Sequence, residues 1–305
     1  MFSINALLFE FTKNQIRLSL YIRRGIFGHA SDSHPEAGAV NIKLSLKCPI
    51  HAASFDVTFM GGLMRIRMAG ATDIGRKRKA NQDSIYFDEA HGLGVVADGI
   101  GGRKGGEVAS SIAVASMKKA FQSAESIRHG EVNSFLISAI DQLNDDILAR
   151  GQSEPEIAGM GTTLNCLAFV GDRLHLAHIG DSRTYLYQDG NIFQLTIDHN
   201  VGTFAERGWL RPHQIIPGAR DEALVKGLGL GPNCEVDIYE FDIQPGQIFV
   251  TCSDGLSGMI SDQEIASIVK KSQPKIDDLP GQLIAAANAA GGRDNITVLL
   301  CEVRK

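Results

Sequence analysis

The sequence predicts an α+β fold in which two antiparallel β-sheets pack together and carry helices on their outer faces. Three observations predict it. Strands, two helices, strands, helices and a last strand follow one another, so the repeated βαβ unit of a doubly wound fold is missing. Gly-Asp and Asp-Gly turns separate the inner strands, which marks them as antiparallel neighbours. The chain has 305 residues, 44% of them hydrophobic and 21% charged, enough apolar material for a sizeable core.

The elements follow in order. Residues 26–40 are small and polar and read as a linker. From Met68 the stretch MAGATDIG reads as strand and turn, and Ser84–Phe87 and Leu93–Ala97 as a hairpin across DEAHG. Gly106–Phe121 and Val132–Ala149 each show a helical apolar face. Thr162–Val170, Leu174–Ile179, Arg183–Gln188 and Ile192–Thr196 read as an antiparallel meander. Asp198–Leu210 starts with an aspartate and predicts a short helix. Cys234–Phe241 and Gln247–Thr251 are strands, Ser261 and Glu264 form a capping box, Leu283–Ala290 belongs to the last helix and Asn295–Glu302 to the last strand.

Composition excludes several functions. A net charge of -5 gives no electrostatic reason for nucleic-acid binding. Five scattered cysteines without a CxxC pair suggest neither a disulfide framework nor a thiolate zinc site, and point to a reducing, cytoplasmic setting. No apolar run reaches the length of a membrane span. The first 25 residues carry Lys13, Arg17, Arg23 and Arg24 after their apolar part, the reverse of a secretory signal. Residues 1–66 are expected to be a poorly ordered or loosely docked extension, with an over-long translation start favoured because Met64 and Met68 stand just ahead of the domain.

Residues 95–107, VVADGIGGRKGGE, hold five glycines. A dinucleotide fingerprint would place its first glycine directly after the strand inside a βαβ unit, and a phosphate-binding Walker loop would need GKS or GKT. Both contexts fail here. An aspartate stands instead where the strand meets the loop. The same happens at Asp181 in HIGDS, Asp254 in VTCSDG and Asp294 in GGRDN, with Asp83 in an early turn. One such aspartate is ordinarily a turn residue. Several in succession are a way to bring carboxylates together, and grouped carboxylates need a neutralising cation, for which Mg²⁺ or Mn²⁺ is suited.

Seven stretches then resemble, in family order, the metal-dependent PPM (PP2C-type) Ser/Thr protein phosphatases in their bacterial single-domain form. They are RKANQDS (78–84), VVADGIGG (95–102), GMGTTL (159–164), HIGDSRTYLY (178–187), LTIDHN (195–200), VTCSDGL (250–256) and GGRDNITVLL (291–300). The resemblance runs from Arg67 to Lys305. It implies an α/β/β/α sandwich and a phosphatase domain over 67–305 with a flap near 199–225. It implies a first Mn²⁺ or Mg²⁺ on Asp98, Asp254 and Asp294. A second would sit on Asp98, the Gly99 carbonyl and waters fixed by Asp83, and a third, weaker ion on Asp181 and Asp254. Arg78 matches the arginine that grips the substrate phosphate. The implied reaction is hydrolysis of phosphoserine or phosphothreonine in proteins by a metal-activated water, reversing a cognate Ser/Thr kinase.

Two departures stand out. Ile100 occupies the place where some members carry a histidine thought to protonate the leaving group, which leaves the general acid unassigned. Gln82 replaces a frequent glutamate. The remaining expectations are a monomer, His178 and His199 as structural histidines, Cys252 as a buried side chain, and Trp209 packing the flap onto the body. Thr162 or Thr163 is expected to support the metal site, and Arg183 to brace it by pairing with a carboxylate. The basic run Arg76–Lys79 is solvated surface or an attractor for acidic phosphopeptides. Two other functions compete: hydrolysis of a small phosphorylated metabolite, and a non-catalytic binding domain.

Overall fold

A computed structural model describes the main chain of residues 6–12, 15–21, 40–44, 55–59, 64–100, 105–124, 129–216, 218–272 and 275–305. The chain forms two compact units, Met1–Gly62 and Leu63–Lys305. In the first, β1 (Ala6–Thr12) pairs antiparallel with β2 (Gln15–Tyr21), and β3 (Val40–Leu44) with β4 (Phe55–Phe59). The linker read at 26–40 lies, apart from Val40, outside the described residues, as do most positions bearing on the order of residues 1–66.

The second unit is a two-sheet sandwich. One sheet contains β6 (Asp83–Asp88), β7 (Leu93–Ile100), β9 (Leu164–Val170), β10 (Arg173–Ile179) and β13 (Asp237–Asp242), in the spatial order β13-β10-β9-β7-β6. The two-residue β8 (Gly161–Thr162) joins β7. The other has the order β12-β11-β14-β15-β5, from β5 (Arg65–Asp73), β11 (Arg183–Gln188), β12 (Asn191–Gln194), β14 (Ile248–Cys252) and β15 (Ile296–Arg304). All pairings are antiparallel. Helices α1 (Gly105–Ser123) and α2 (Val132–Ser153) cover the first sheet. The short α3 (Val201–Glu206) follows β12. Helices α4 (Asp254–Ser257), α5 (Asp262–Ser272) and α6 (Leu279–Ala289) cover the second sheet. No described helix is long and apolar enough to cross a membrane.

The two-residue period of the strands builds three apolar layers. On β7, Leu93, Val95 and Ala97 face α1 and α2, while Val96 faces the other sheet. On β15, Ile296, Val298 and Leu300 face α4–α6, while Leu299, Cys301 and Val303 face inward. In the central strands β7, β9, β14 and β15 both faces are covered, so these read as nearly continuous apolar runs in sequence.

Four local expectations are corrected. The four central strands do not form one meander: β9 and β10 pair in one sheet, β11 and β12 pair in the other, and residues 180–182 cross between sheets. The strand read as 162–170 is interrupted at Thr163, whose side chain is committed elsewhere. The helix expected from Asp198 begins at Val201, capped by the Asn200 side chain accepting from Thr203 N at 2.9 Å; Asp198 is held by Arg183 instead. The strand read from Cys234 starts only at Asp237. The capping box at Ser261 and Glu264 is present in both directions.

Candidate active site

Register explains how the aspartates meet. Asp83 opens β6 and faces Asp98 near the end of β7 across the ladder. β9 starts where β10 ends (Leu164 opposite Ile179), β11 starts where β14 ends (Arg183 opposite Cys252), and β15 starts where β5 ends (Ile296 opposite Asp73). Each sheet therefore gathers four strand termini at one end. The crossing at 180–182 joins the end of β10 to the start of β11, so the two ends coincide. Asp181 rides on that crossing, Asp254 opens α4 after β14, and Asp294 precedes β15.

Electrostatics record the convergence. Burial pushes the Asp98 carboxyl well above 3.8, and Asp83, Asp254, Asp181 and Asp294 all push it further. Burial raises Asp83 to about 6, offset by hydrogen bonds from Thr297 and Ser253. Burial and then the Asp254 charge raise Asp181 to about 7. Asp254 is raised by burial and by Asp294, and lowered by a hydrogen bond with Asp98 and by Arg78 and Arg183. Five carboxyls thus compete for too little positive charge.

The side chains are braced from behind. Asp83 Oδ2 accepts from Ser253 Oγ and Thr297 Oγ1, both at 2.7 Å. The Asp98 main chain is gripped on both sides: its N–H donates to Thr163 Oγ1 at 2.9 Å, and its carbonyl accepts from Thr162 Oγ1 at 2.9 Å and from Thr163 N. Both threonines thus support the site through the backbone. Gly99 has no room for a side chain, because a Cβ there would run into the Gly106 carbonyl. Arg78 Nη2 donates to Asp294 Oδ2 at 2.5 Å with almost half of its side chain exposed.

Sequence reasoning missed Asn295. It is 4% exposed, and its whole amide is spent on the loop that carries Arg78. Oδ1 accepts from Gln82 N at 2.9 Å, while Nδ2 donates to the carbonyls of Ile74 at 2.9 Å and Ala80 at 3.0 Å. The only available signal was its place beside Asp294. Arg183 pairs with a carboxylate, that of Asp198, through contacts of 3.0, 3.0 and 2.7 Å.

His178 is buried away from the acidic cluster: Nε2 meets the Ile197 carbonyl at 2.9 Å and Nδ1 meets Asn165 Oδ1 at 2.7 Å, while burial lowers its pKa to about 3. Cys252 is fully buried in the layer under α4–α6. Trp209 is 52% exposed and packs on its own segment, with Phe204 at 5.2 Å and the Arg207 guanidinium 5.2 Å from its ring centre. A surface depression of about 620 Å³ lies elsewhere, lined by Arg67, Gly70, Phe87 and Asp277 among others and by none of the site aspartates.

The residues fit a divalent cation. Asp83 Oδ1 and Asp254 Oδ1 are buried oxygens without a hydrogen-bond partner, aimed into a cluster of like charge. Among the described residues, no three His, Cys, Asp or Glu side chains are drawn close enough to hold an ion by themselves. Oxygen donors of this kind suit Mg²⁺ or Mn²⁺, whereas zinc is ordinarily held by imidazole nitrogen and thiolate sulfur.

A buried carboxylate cluster at the open end of an α/β/β/α sandwich defines a class of hydrolytic enzyme, and the comparisons with known proteins identify the family. The family model described as Protein phosphatase 2C matches residues 72–282. A putative protein phosphatase 2C-type from Streptococcus pyogenes is 35% identical over 233 residues, 75% of this chain and 94% of that protein. The structure of the Mycobacterium tuberculosis serine/threonine phosphatase PstP/Ppp superposes with a TM-score of 0.70 at 32% identity, covering 79% of this chain and 100% of that one. A PstP catalytic domain in complex with two manganese ions superposes with a TM-score of 0.69 over the same shares. The chain belongs to the protein phosphatase 2C family and is a Ser/Thr phosphatase.

Proposed function

We propose that this phosphatase hydrolyses phosphoserine and phosphothreonine in proteins at the cluster formed by Asp83, Asp98, Asp181, Asp254 and Asp294, using two Mn²⁺ or Mg²⁺ ions and a third held more weakly. The observation that carries the reading is the pair of unpartnered buried oxygens, Asp83 Oδ1 and Asp254 Oδ1, inside a mutually repelling group of carboxyls. The two manganese ions in the related PstP catalytic domain support it.

The family resemblance gives each residue a role. Asp98, Asp254 and Asp294 would hold the first ion. Asp98 and the Gly99 carbonyl would hold the second, with Asp83 orienting water. Asp181 and Asp254 would hold the third. When bound, the ions supply positive charge opposite the phosphoryl oxygens and an activated water as nucleophile. Arg78 receives the phosphate: its fork of N–H donors matches phosphate oxygens, and its exposed half lets it leave Asp294 for the substrate. Asn295 keeps the Arg78 loop closed while that exchange occurs. Ile100 has no proton to give, so protonation of the leaving alkoxide falls to water.

The segment 199–225 acts as the flap beside this site. Substrates are proteins phosphorylated by a cognate Ser/Thr kinase, and the enzyme works as a monomer in the cytoplasm. Cys166, Cys252 and Cys301, buried and unpaired, fit a reducing compartment.

The test is hydrolysis of a phosphothreonine peptide and of p-nitrophenyl phosphate, with Mn²⁺, Mg²⁺ or EDTA, beside Asp254→Asn. Manganese-dependent release from the peptide that disappears in the variant is the expected result. Activity on the small ester alone would move the substrate to a metabolite. Full activity in EDTA would refute the metal assignment.

A further inference from the structure

Asp98 lies in a ladder and Asp254 opens a helix, but Asp181 sits in a three-residue crossing between the sheets. What holds that crossing is the segment after β12. His199 N donates to the Gly180 carbonyl at 2.8 Å, and His199 Nδ1 accepts the Gly180 N–H at 3.1 Å. Both polar groups of the residue just before Asp181 are thus bound to one histidine. Asp198, the preceding neighbour of His199, binds Arg183, two residues beyond Asp181. Consecutive residues therefore clamp the crossing on either side of the aspartate.

The bonds dictate the tautomer. Gly180 N–H is a donor, so Nδ1 carries a lone pair and the ring proton is on Nε2, which donates to Asp237 Oδ2 at 3.2 Å. The ring is 1% exposed, packed 4.7 Å from His178 and 5.8 Å from Phe204, and so cannot turn over. The crossing cannot relax either. Gly180 has φ +110°, and a Cβ there would stand 2.5 Å from Thr163 Cγ2. Thr163 in turn bonds Ser182 Oγ at 2.7 Å and the Asp98 N–H.

We propose that His199 is a positioning residue for the phosphatase reaction: its Nδ1 lone pair and main-chain N–H fix the Gly180 peptide and thereby aim the Asp181 carboxylate into the acidic cluster. The inference rests on the reading of Asp181 as a metal ligand. A supporting group of this kind acts by orienting a ligand, and its loss weakens metal binding rather than abolishing the fold.

The experiment is Mn²⁺ titration by calorimetry on the full chain, with His199→Asn, His199→Gln, Asp181→Asn and the His199→Gln/Asp181→Asn double variant, each checked for its melting transition. Asn places an oxygen acceptor where Nδ1 stands; Gln places its polar atoms near Nε2. The expected result is that Gln weakens the weakest Mn²⁺ site about tenfold, Asn keeps wild-type binding, and Gln adds nothing once Asp181 is Asn. Nitrogen NMR of the metal-free wild type should show an unprotonated His199 Nδ1. A protonated Nδ1, equal loss in Asn and Gln, or an undiminished Gln variant each overturns the proposal. If the Gln variant does not fold, weakened binding in a folded Asn variant overturns it. A wild type that takes up no Mn²⁺ refutes the metal reading and this inference together, whereas Mn²⁺ uptake with insensitive variants refutes only the role of His199.

Discussion

The layer between the two sheets has one chemistry at one end and another at the other, on the same strands and the same face. At the dry end stand Met68, Ile85, Val96, Leu167, Leu176, Leu186, Phe249 and Leu299. Further along each of those strands, on the same face, stand Thr72, Asp83, Asp98, Asn165, His178, Thr184, Thr251 and Thr297. All eight strands switch from apolar to polar at a common level. The polar end is stitched by side chains: Thr72 to Thr297 at 2.7 Å, Thr184 to Thr251 at 3.0 Å and Asn165 to Thr184 at 2.9 Å. The dry end supplies cohesion. The polar end gives that up to hold five carboxyls where no apolar core could solvate them.

The comparison can be broken at either end. The largest effect should come from Asp254→Asn. Losing a carboxylate of the cluster should lower phosphatase turnover about a thousandfold or more, while the melting temperature in EDTA rises because one repelling charge is gone. A fall in both would mean the aspartate is structural. Next is Leu299→Ala at the dry end, fully buried between the sheets. It should cost about 2–5 kcal/mol of stability in denaturant titrations and leave kcat per folded molecule unchanged.

Arg78→Lys keeps the charge but loses the fork, and kcat/KM for a phosphopeptide should drop roughly tenfold or more with stability unaltered. The smallest effect is a pH profile. Asp83 is raised to about 6 and Asp181 to about 7, against 3.8 unfolded. The folded chain therefore holds extra protons above pH 3.8, and stability is lost as pH rises through that window. The Tm in EDTA should fall between about pH 5 and about pH 7.5, and Mn²⁺ should restore it at the upper value. A flat profile would show that neither burial nor the neighbouring charges raise these two carboxyls.

Asp98, Asp181, Asp254 and Asp294 were legible because each stands beside a Gly or Asn near the end of an apolar strand, and the layers because buried strands and amphipathic helices have different periods. What stayed hidden is tertiary. The Gly-Asp at 171–172 turns a hairpin and the Gly-Asp at 180–181 crosses between sheets, yet the two dipeptides are identical. Only the partner of Gly180, His199, separates them. Asp198 reads as a helix cap until Arg183 claims it, and then Asn200 takes the cap. Asn295 was invisible in its role because its three partners are main-chain groups far away in sequence, which no side-chain pattern encodes. The row of inward threonines reads simply as strand propensity.

The run of rings that starts at His178 and passes through His199 and Phe204 ends at Trp209, the only tryptophan in the chain. Its indole is half in solvent beneath a guanidinium. The molecule therefore carries one indole among five tyrosines, seated outside the acidic cluster yet connected to it by packed aromatic neighbours. Excited at the red edge, where tyrosine does not absorb, that single indole can time events in segment 199–225 during turnover in the unlabelled enzyme.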